Sequence, residues 1–500
     1  MTKLSLQSDA WFIKLSIFIS SSRYIDYQFV SSNCSFPEFL RNNPVIFTEP
    51  TDKSLLYLSQ SKDFINLLQH ICKDNNLRSC VETKHLVLLK MEYFCPECHK
   101  PCIDNEWCKD CNSKRLREEF KNWASGNSSI DELIQNTQLA AEASNQKLEW
   151  IPYNEFTEVG FLSKGGFGTV YKAFWKNGYI NTFDIKEGTW KRMPNEYVVL
   201  KSLNDSKDIT LGFFDEISRQ LKSAATGACV IPIYGVTQHP DTEDYMMVMA
   251  YSNKGSLRNY LNENYYELDL ETKIYLTYQI AASLSEIHKL GFVHCDFHSG
   301  NVVLYEYSGT LAAALITDFG LCKSIHQVSE KTIEGVIPYI APEVFMGRKY
   351  SQASDIYSFG IMMNEIATGL PPHHNISHDS KLSLRIVYQY LRPEINTEIT
   401  PRLFIQLIEK CWEKDPKNRP TASEIHDILL NYFKKKITDR EEIWNQVNEI
   451  EKNTKNKTGS FEYNIHERAF YTSRTVEILD GDLDFDDENI HDDELDELDF

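Results

Sequence analysis

The stretch HCDFHSGN, residues 294–301, places Asp296 two residues after a His and Asn301 five residues after that Asp. A carboxylate in such a loop can accept the proton of an attacking hydroxyl, and the amide can bind a magnesium ion; together they suit phosphoryl transfer. A second carboxylate, Asp318 in ALITDFGLCKS, ends an apolar, strand-like run and would hold magnesium against nucleotide phosphates. Lys201 is the one cation in the β-branched stretch EYVVLKSL, and there it would point at the α- and β-phosphates. Glu216 in GFFDEISRQLKSA lies on an expected helix with an apolar face and would hold Lys201 in place, with Asp215 as the neighbour that could be mistaken for it. Taken singly, a lone strand Lys and a helix Glu are ordinary surface residues.

These groups need elements to position them. FLSKGGFGTVYKAFW (161–175) reads as strand, tight turn, strand; Gly165 and Gly168 let backbone approach phosphates with no Cβ in the way. Leu162 and Val170 would lie on the adenine face, and Ser163 replaces the first glycine of G-x-G-x-x-G. Further on, GVIPYIAPE (335–343) closes a segment that begins at Asp318. SDIYSFGIMMNEIATG carries Asp355 on an expected buried helix, and CWEKDPKNRP carries Arg419. From Trp150 the chain is rich in β-branched and aromatic runs, and from about Leu257 to Tyr432 helical patterns dominate. Strands followed by helices imply an α+β unit of two packed lobes. The full set, in this order over about 260 residues, is far more specific than any one member.

A second constellation lies upstream. Cys95-x2-Cys98 and Cys108-x2-Cys111 form two knuckles separated by nine residues. Four thiolates so spaced suit one tetrahedral Zn2+ that staples a small domain and leaves no open position for catalysis. His99 and Cys102 lie within the same stretch and leave open which four groups ligate. Free thiols in a loop are the ordinary alternative.

Together the quoted motifs make the chain resemble the protein-kinase family. CWEKDPKNRP, SDIYSFG and GSLRNYL bring it nearest to the tyrosine-kinase-like branch. With HSGN and the upstream cysteines it also resembles an expanded set of such kinases in symbiotic soil fungi. The resemblance covers roughly residues 155–432, with a weaker likeness from about 93. It implies a two-lobed fold binding ATP between the lobes with Mg2+, and transfer of the γ-phosphate to a Ser/Thr hydroxyl of a protein substrate, Tyr being left open. Carried over by position, catalysis falls to Asp296, Lys201, Glu216, Asn301 and Asp318, with Mg2+ on Asn301 and Asp318. ATP would meet Leu162, Ser163, Lys164, Gly165, Gly166, Phe167, Gly168, Thr169, Val170, Lys201 and Val303. Met249 would be the gatekeeper, and Ala250, Tyr251 and Ser252 would offer hinge backbone to adenine. Glu343 would pair with Arg419, and Asp355 would anchor the catalytic loop.

Departures from the family pattern carry information. Cys295 replaces an Arg that meets activation-segment phosphate in many kinases, which weakens that switch; Ser324, Ser329 and Thr332 remain candidate phosphosites. His298 stands where Ser/Thr kinases often have Lys, Val336 where they usually have Thr, and Val199 where a smaller Ala is usual. The insertion KNGYINTFDIKEGTWKRMPN lengthens the hairpin before Lys201 and has no evident task. Two other readings compete: a pseudokinase scaffold, argued from Ser163 and Cys295, and a small-molecule kinase with a similar His-x-Asp loop, argued against by APE and CW…DP…RP.

Bulk properties set the remaining bounds. The net charge of −20 over 500 residues argues against nucleic-acid binding, which needs a basic face. Much of the excess lies in LDGDLDFDDENIHDDELDELDF, a self-repelling block expected to be disordered. Seven of the twelve cysteines are scattered, which suits the cytoplasm, with the nucleus left open. No apolar run approaches the ~18 residues of a membrane helix, and WFIKLSIFIS, broken by Lys14, does not read as a signal peptide. The expected organisation is an N-terminal region of unknown role (1–90), a cysteine module (91–115), a helical linker (116–150), the kinase domain (155–432), a C-terminal helix and linker (433–475) and an acidic tail (476–500). Within the first region SLLYLSQSKDFINLLQHI has helical periodicity.

Overall fold

The computed structural model describes residues 11–18, 24–31, 45–46, 55–58, 89–102, 107–165, 168–203, 211–307, 310–325, 333–433, 438–454 and 463–479. Gly166, Phe167, Ser329, Thr332 and the acidic residues beyond 479 lie outside them. The described chain forms two units: one of residues 1–124, 135–147 and 180–192, the other of 125–134, 148–179 and 193–500.

The larger unit opens with a six-stranded sheet, in the order Glu149–Trp150, Ile233–Gln238, Tyr245–Ala250, Glu196–Leu203, Gly168–Trp175 and Phe156–Gly165. All neighbours are antiparallel except the parallel pairing of Glu149–Trp150. The pleat sorts the Glu196–Leu203 strand by its period of two. Val198 and Leu200 are fully buried among Phe156, Ala173, Trp175 and Val248. Val199 and Lys201 therefore face the opposite side, where they line a cleft.

The helix Leu211–Thr226 follows. Its buried residues Phe213, Glu216, Ile217 and Gln220 fall at i, i+3, i+4 and i+7, one continuous stripe. That spacing puts Glu216 on the buried face and leaves the Asp215 side chain more than half exposed, ion-paired with Arg219 one turn on at 2.7 Å.

A helical lobe completes the unit. Leu270–Lys289 and Gln352–Thr368 run through its core. The second of these is buried nearly all round, with polar residues such as Asp355 and Glu365 enclosed among its apolar ones. It starts at a capping box of Ser351 and Ser354 and stops at Gly369, whose φ of +75° suits a residue without Cβ. A Cβ there would meet the Tyr265 ring at 2.5 Å. The C-terminal helix expected within 433–475 is Thr438–Thr454, and it buries Ile443 and Val447 in the same core.

Particular readings change. Residues 476–479, assigned above to the acidic tail, are placed in the structure: Arg474–Val476 is a strand paired with Ile333–Gly335, and Ile478 and Leu479 pack on the helical core. Their apolar side chains, not the acidic run that follows, decide their place. The helix Ser128–Ala140, within the expected linker, is capped by Asn127, whose Oδ1 accepts from the backbone N–H groups of Ser129 and Ile130. Leu55–Leu58 is a strand where periodicity suggested a helix.

In the smaller unit, Trp11–Phe18, Tyr24–Ser31, Val45–Ile46, Leu55–Leu58, Leu89–Phe94 and Pro101–Cys102 share a sheet. The cysteine loop leads into the helix Lys109–Glu119. The unexplained insertion forms a hairpin, Tyr179–Asp184 and Thr189–Met193, turned through Gly188 at φ +66°. Its residues pack in this unit. Trp190 stacks on Trp107 at 5.8 Å and donates to Glu119 at 2.7 Å, and the Arg115 guanidinium lies 3.9 Å over the Phe183 ring. Through Phe183 and Trp190 the hairpin packs on the cysteine module's helix.

Candidate active site

Lys201 is buried, and its ammonium donates to Glu216 Oε1 at 2.8 Å and to Asp318 Oδ1 at 2.9 Å. Burial alone would pull this ammonium down, but the facing charges of Asp318 and Glu216 outweigh it and hold it above its ordinary value. For Asp318 burial pushes upward, and Lys201 prevails and keeps the carboxyl below its usual range. Three residues far apart in sequence, from strand, helix and loop, are thus locked into one hydrogen-bonded chain. Asp318 has φ +63°, an uncommon conformation for a residue with a side chain. Its Oδ1 also accepts from Gly320 N at 3.4 Å.

The 294–301 loop is fixed from beneath. Asp355, almost wholly buried, accepts from His294 N at 2.8 Å, Cys295 N at 3.1 Å and His288 Nε2 at 2.9 Å. Cys295 has φ +68°, so the loop stores strain next to Asp296 that these bonds must hold. The Asn301 amide nitrogen donates to Asp296 O at 3.0 Å and to its Oδ2 at 3.2 Å. Both amide protons are directed at Asp296, which leaves the Asn301 oxygen as the atom open to a cation. His298 Nδ1 accepts from Gly300 N at 3.0 Å, and Nε2 lies 3.5 Å from Asp296 Oδ2. Gly300 is required there, since a Cβ would come within 2.7 Å of the His298 ring. Cys295 does not reach the activation segment as a charge would. Its thiol is buried with Val293, Leu321 and Tyr350, and burial first, then the Asp355 charge, pushes its pKa well up.

These groups border a cleft of about 630 Å³. Leu162, Val170, Val199, Met249 and Val303 form its apolar part; Lys201, Asn301 and Asp318 form its polar end. Ser163, Lys164, Gly168, Ala250, Tyr251 and Ser252 complete the rim. An apolar slot for a base beside a cation and two oxygen donors for phosphates and a metal fits the chemistry of ATP and Mg2+. The strand that carries Lys201 also pairs in register with the glycine hairpin: Lys201 lies opposite Val170 and Leu203 opposite Gly168.

Supports emerge that single motifs did not signal. Glu343 and Arg419 form a buried two-bond pair at 2.7 and 2.8 Å, as the resemblance implied, and Arg419 also ties in Ala353 O and Glu413 O. Arg258, from GSLRNYL, is buried; it donates to Ser299 Oγ at 2.7 Å and to Tyr339 OH at 2.5 Å, and lies 3.5 Å from Glu365. This network braces HCDFHSGN from the side opposite Asp355. The C-terminal segment also enters the cleft: Ser473 Oγ donates a short hydrogen bond to Asp296 Oδ2. No local pattern in the sequence announced that contact.

In the smaller unit Cys95, Cys98, Cys108 and Cys111 bring their sulfurs together, all within 4.8 Å of one another. Cys95 and Cys111 are 3.7 Å apart, and Cys98 and Cys108 3.6 Å. Sulfurs held tetrahedrally at about 2.3 Å from one ion would stand about 3.8 Å apart, so the four could hold a metal. His99, at φ +56°, makes the reversal, and Cys102 faces Lys100 O instead. Arg115 and Glu97 clamp the first knuckle to the helix that begins after Cys108.

A strand-rich lobe, a helical lobe and a Lys–Glu–Asp chain over the cleft between them define a protein-kinase fold. Residues 157–429, more than half of the chain, match the family described as protein tyrosine and serine/threonine kinase. The chain belongs to that family. A probable serine/threonine-protein kinase of Dictyostelium discoideum is 28% identical over 283 residues, 56% of this chain and 16% of its own length. Mitogen-activated protein kinase kinase kinase 10 of Xenopus laevis is 26% identical over 292 residues, 56% of this chain and 26% of its own. A protein kinase and PP2C-like domain-containing protein of Arabidopsis thaliana is 26% identical over 335 residues, 59% of this chain and 45% of its own. The chain thus spans less than half the length of each of these relatives. The kinase homologues, one of them in the tyrosine-kinase-like branch, agree with the resemblance drawn from the motifs. Among the described residues no helix is long and apolar enough to cross a membrane.

Proposed function

We propose that this chain is an active protein kinase that transfers the γ-phosphate of ATP to a serine or threonine hydroxyl of a protein. The observation that carries the reading is the closed chain from Glu216 through Lys201 to Asp318, standing over Asp296 and Asn301. When bound, ATP supplies the phosphoryl group and Mg2+ neutralises its charge. Lys201, fixed by Glu216, would hold the phosphates; Asp318 and the Asn301 oxygen would hold the metal; Asp296 would accept the hydroxyl proton. His298, beside Asp296, stands where it can polarise the acceptor. Phosphoryl transfer asks mainly for positioning and charge neutralisation, and the residues for both are present. Relatives known as probable serine/threonine-protein kinases favour that class of acceptor.

Two coarser features join this reading. The four convergent thiols support a structural Zn2+, closed to substrate. The nine described cysteines, none of them in a disulfide, suit a reducing compartment such as the cytoplasm. The test is incorporation of label from [γ-32P]ATP into dephosphorylated casein by the full chain beside Asp318→Asn. The expected result is robust labelling by the unmodified chain and at least a 100-fold loss in the variant. Equal labelling by both proteins sinks the reading.

A further inference from the structure

The segment 463–479 lies along the helical lobe and crosses the mouth of the cleft as an extended chain. Tyr463 OH donates to Asn262 Oδ1 at 2.7 Å. His466 N donates to His374 O at 2.8 Å, and Arg468 O accepts from His378 N at 3.0 Å. The Tyr471 ring is held between the Arg258 guanidinium, at 4.1 Å, and the edge-on His378 ring, at 4.9 Å, while its hydroxyl donates to Pro372 O at 3.0 Å. Ser473 then turns its hydroxyl onto Asp296 Oδ2. Past it, Arg474, Thr475 and Val476 pair antiparallel with Gly335, Glu334 and Ile333 of the activation segment. Arg474 donates to His378 O, Ile478 approaches Gly347, and Leu479 N donates to Phe345 O at 3.0 Å.

This arrangement has the features of a seated acceptor peptide. Backbone pairing fixes the register, and alternate side chains enter separate pockets, as in strand-addition recognition. The hydroxyl at the centre touches the carboxylate assigned as proton acceptor. A segment present only to fill space has no need to place its serine on that atom. Resting on the kinase reading above, we propose that Ser473 is a phosphoacceptor of this same chain, modified in cis, and that the seated segment competes with other acceptors for the groove.

The step balances without a further reagent. Ser473 Oγ forms the new bond to the γ-phosphorus of ATP; the bond from that phosphorus to the β,γ-bridging oxygen breaks, and ADP departs with the electron pair. The Ser473 proton goes to Asp296 and then to solvent. The product carries about −1.5 to −2 charge at neutral pH beside the carboxylates of Asp296 and Asp318. Like-charge repulsion then favours release of the segment. The same contacts define a substrate class: an aromatic residue two positions before the serine, for the Arg258–His378 slot, and aliphatic residues three and five positions after it, as Val476 and Ile478 are.

The test uses the full chain with ATP and Mg2+. Fragmentation mass spectrometry is expected to place phosphate on Ser473 rather than on Thr472 or Thr475. A tethered acceptor sits at about millimolar effective concentration, so the first-order rate is expected to stay constant over a 100-fold dilution. 15N-labelled Asp296→Asn chains mixed in are expected to remain unmodified. Ile478→Asp, which unseats the segment, is expected to slow Ser473 modification at least 10-fold and to raise the initial rate on dephosphorylated casein at least 5-fold. Labelled casein with unmodified Ser473 overturns the proposal and spares the kinase reading. Modification that scales with dilution, or that reaches the labelled Asp296→Asn chains equally, overturns the intramolecular step. Failure to label either casein or Ser473 overturns both.

Discussion

Asp355→Asn tests whether the catalytic loop is held in its working shape by one buried carboxylate. The side chain accepts three hydrogen bonds, and Oδ1 is the atom that takes Cys295 N at 3.1 Å. An Asn keeps one oxygen, which can serve His294 N and His288 Nε2 on the Oδ2 side. Its NH2 group then faces the Cys295 N–H, donor against donor. A hydrogen bond to a charged group is worth about 1.5–3 kcal/mol, and a buried donor left unpaired costs about 1–3 kcal/mol. These overlap, so the expected loss of stability is about 2–4 kcal/mol. The lost bond is also the one that holds Cys295 at φ +68°, a conformation that costs about 1–2 kcal/mol for a residue with a Cβ. Freed of it, the loop relaxes at the residue next to Asp296. A misplacement of about 1 Å is enough to cost about 100-fold in rate. The expected outcome in urea denaturation and steady-state kinetics is therefore a loss of about 2–4 kcal/mol with kcat down about 100-fold. KM for ATP should change less than about 3-fold, because the nucleotide contacts lie elsewhere. A stability change under about 0.5 kcal/mol together with an unchanged kcat would refute the reasoning.

Other consequences follow from the same geometry. His298→Ala should lower kcat about 10-fold with KM for ATP nearly unchanged, since His298 neighbours Asp296 and not the adenine slot; an equal rise in KM for ATP would count against that placement. His373 is buried with no partner for Nε2 among the described residues, and burial first, then the His378 and Arg392 charges, depress its pKa to about 3. Its folded-state pKa lies below the unfolded value, so the unfolded chain binds the proton first and stability falls as pH drops from about 6.5 toward 3, by up to about 1.4 kcal/mol per pH unit. His373→Gln should flatten that part of the stability profile; an identical slope in the variant would reject the assignment. Metal analysis should find about one zinc per chain, and Cys108→Ser should release it; a chain purified under reducing conditions with no zinc contradicts the four-thiol site.

Phosphate chemistry dictates residue types so tightly that Lys201, Glu216, Asp296, Asn301 and Asp318 stood out by order and spacing; in the structure Lys201, Asn301 and Asp318 line one cleft, Glu216 is bonded to Lys201 and Asp296 to Asn301. Where two carboxylates were adjacent, helix geometry was the deciding signal: Glu216 shares a stripe with Phe213 and Ile217, and Asp215 does not. The cysteine ligand set was open in sequence because spacing alone treats Cys102 and Cys111 alike; backbone reversal at His99 separates them. The insertion showed no task in sequence, since a long-range contact such as Trp190 on Trp107 leaves no local period. The segment 463–479 was harder still. It mixes polar and apolar residues with no helical or strand period and adjoins an acidic run, and its meaning lies in strand pairing with residues more than a hundred positions earlier. The Arg258 network was hidden for a similar reason, because its members come from four separate elements.

The most direct measurement is quantitative mass spectrometry of the purified chain incubated with ATP and Mg2+, beside Asp296→Asn treated identically. Phosphoserine or phosphothreonine in the unmodified chain and none in the variant is the predicted result. Equal phosphate on both proteins, or phosphate confined to tyrosine, contradicts it.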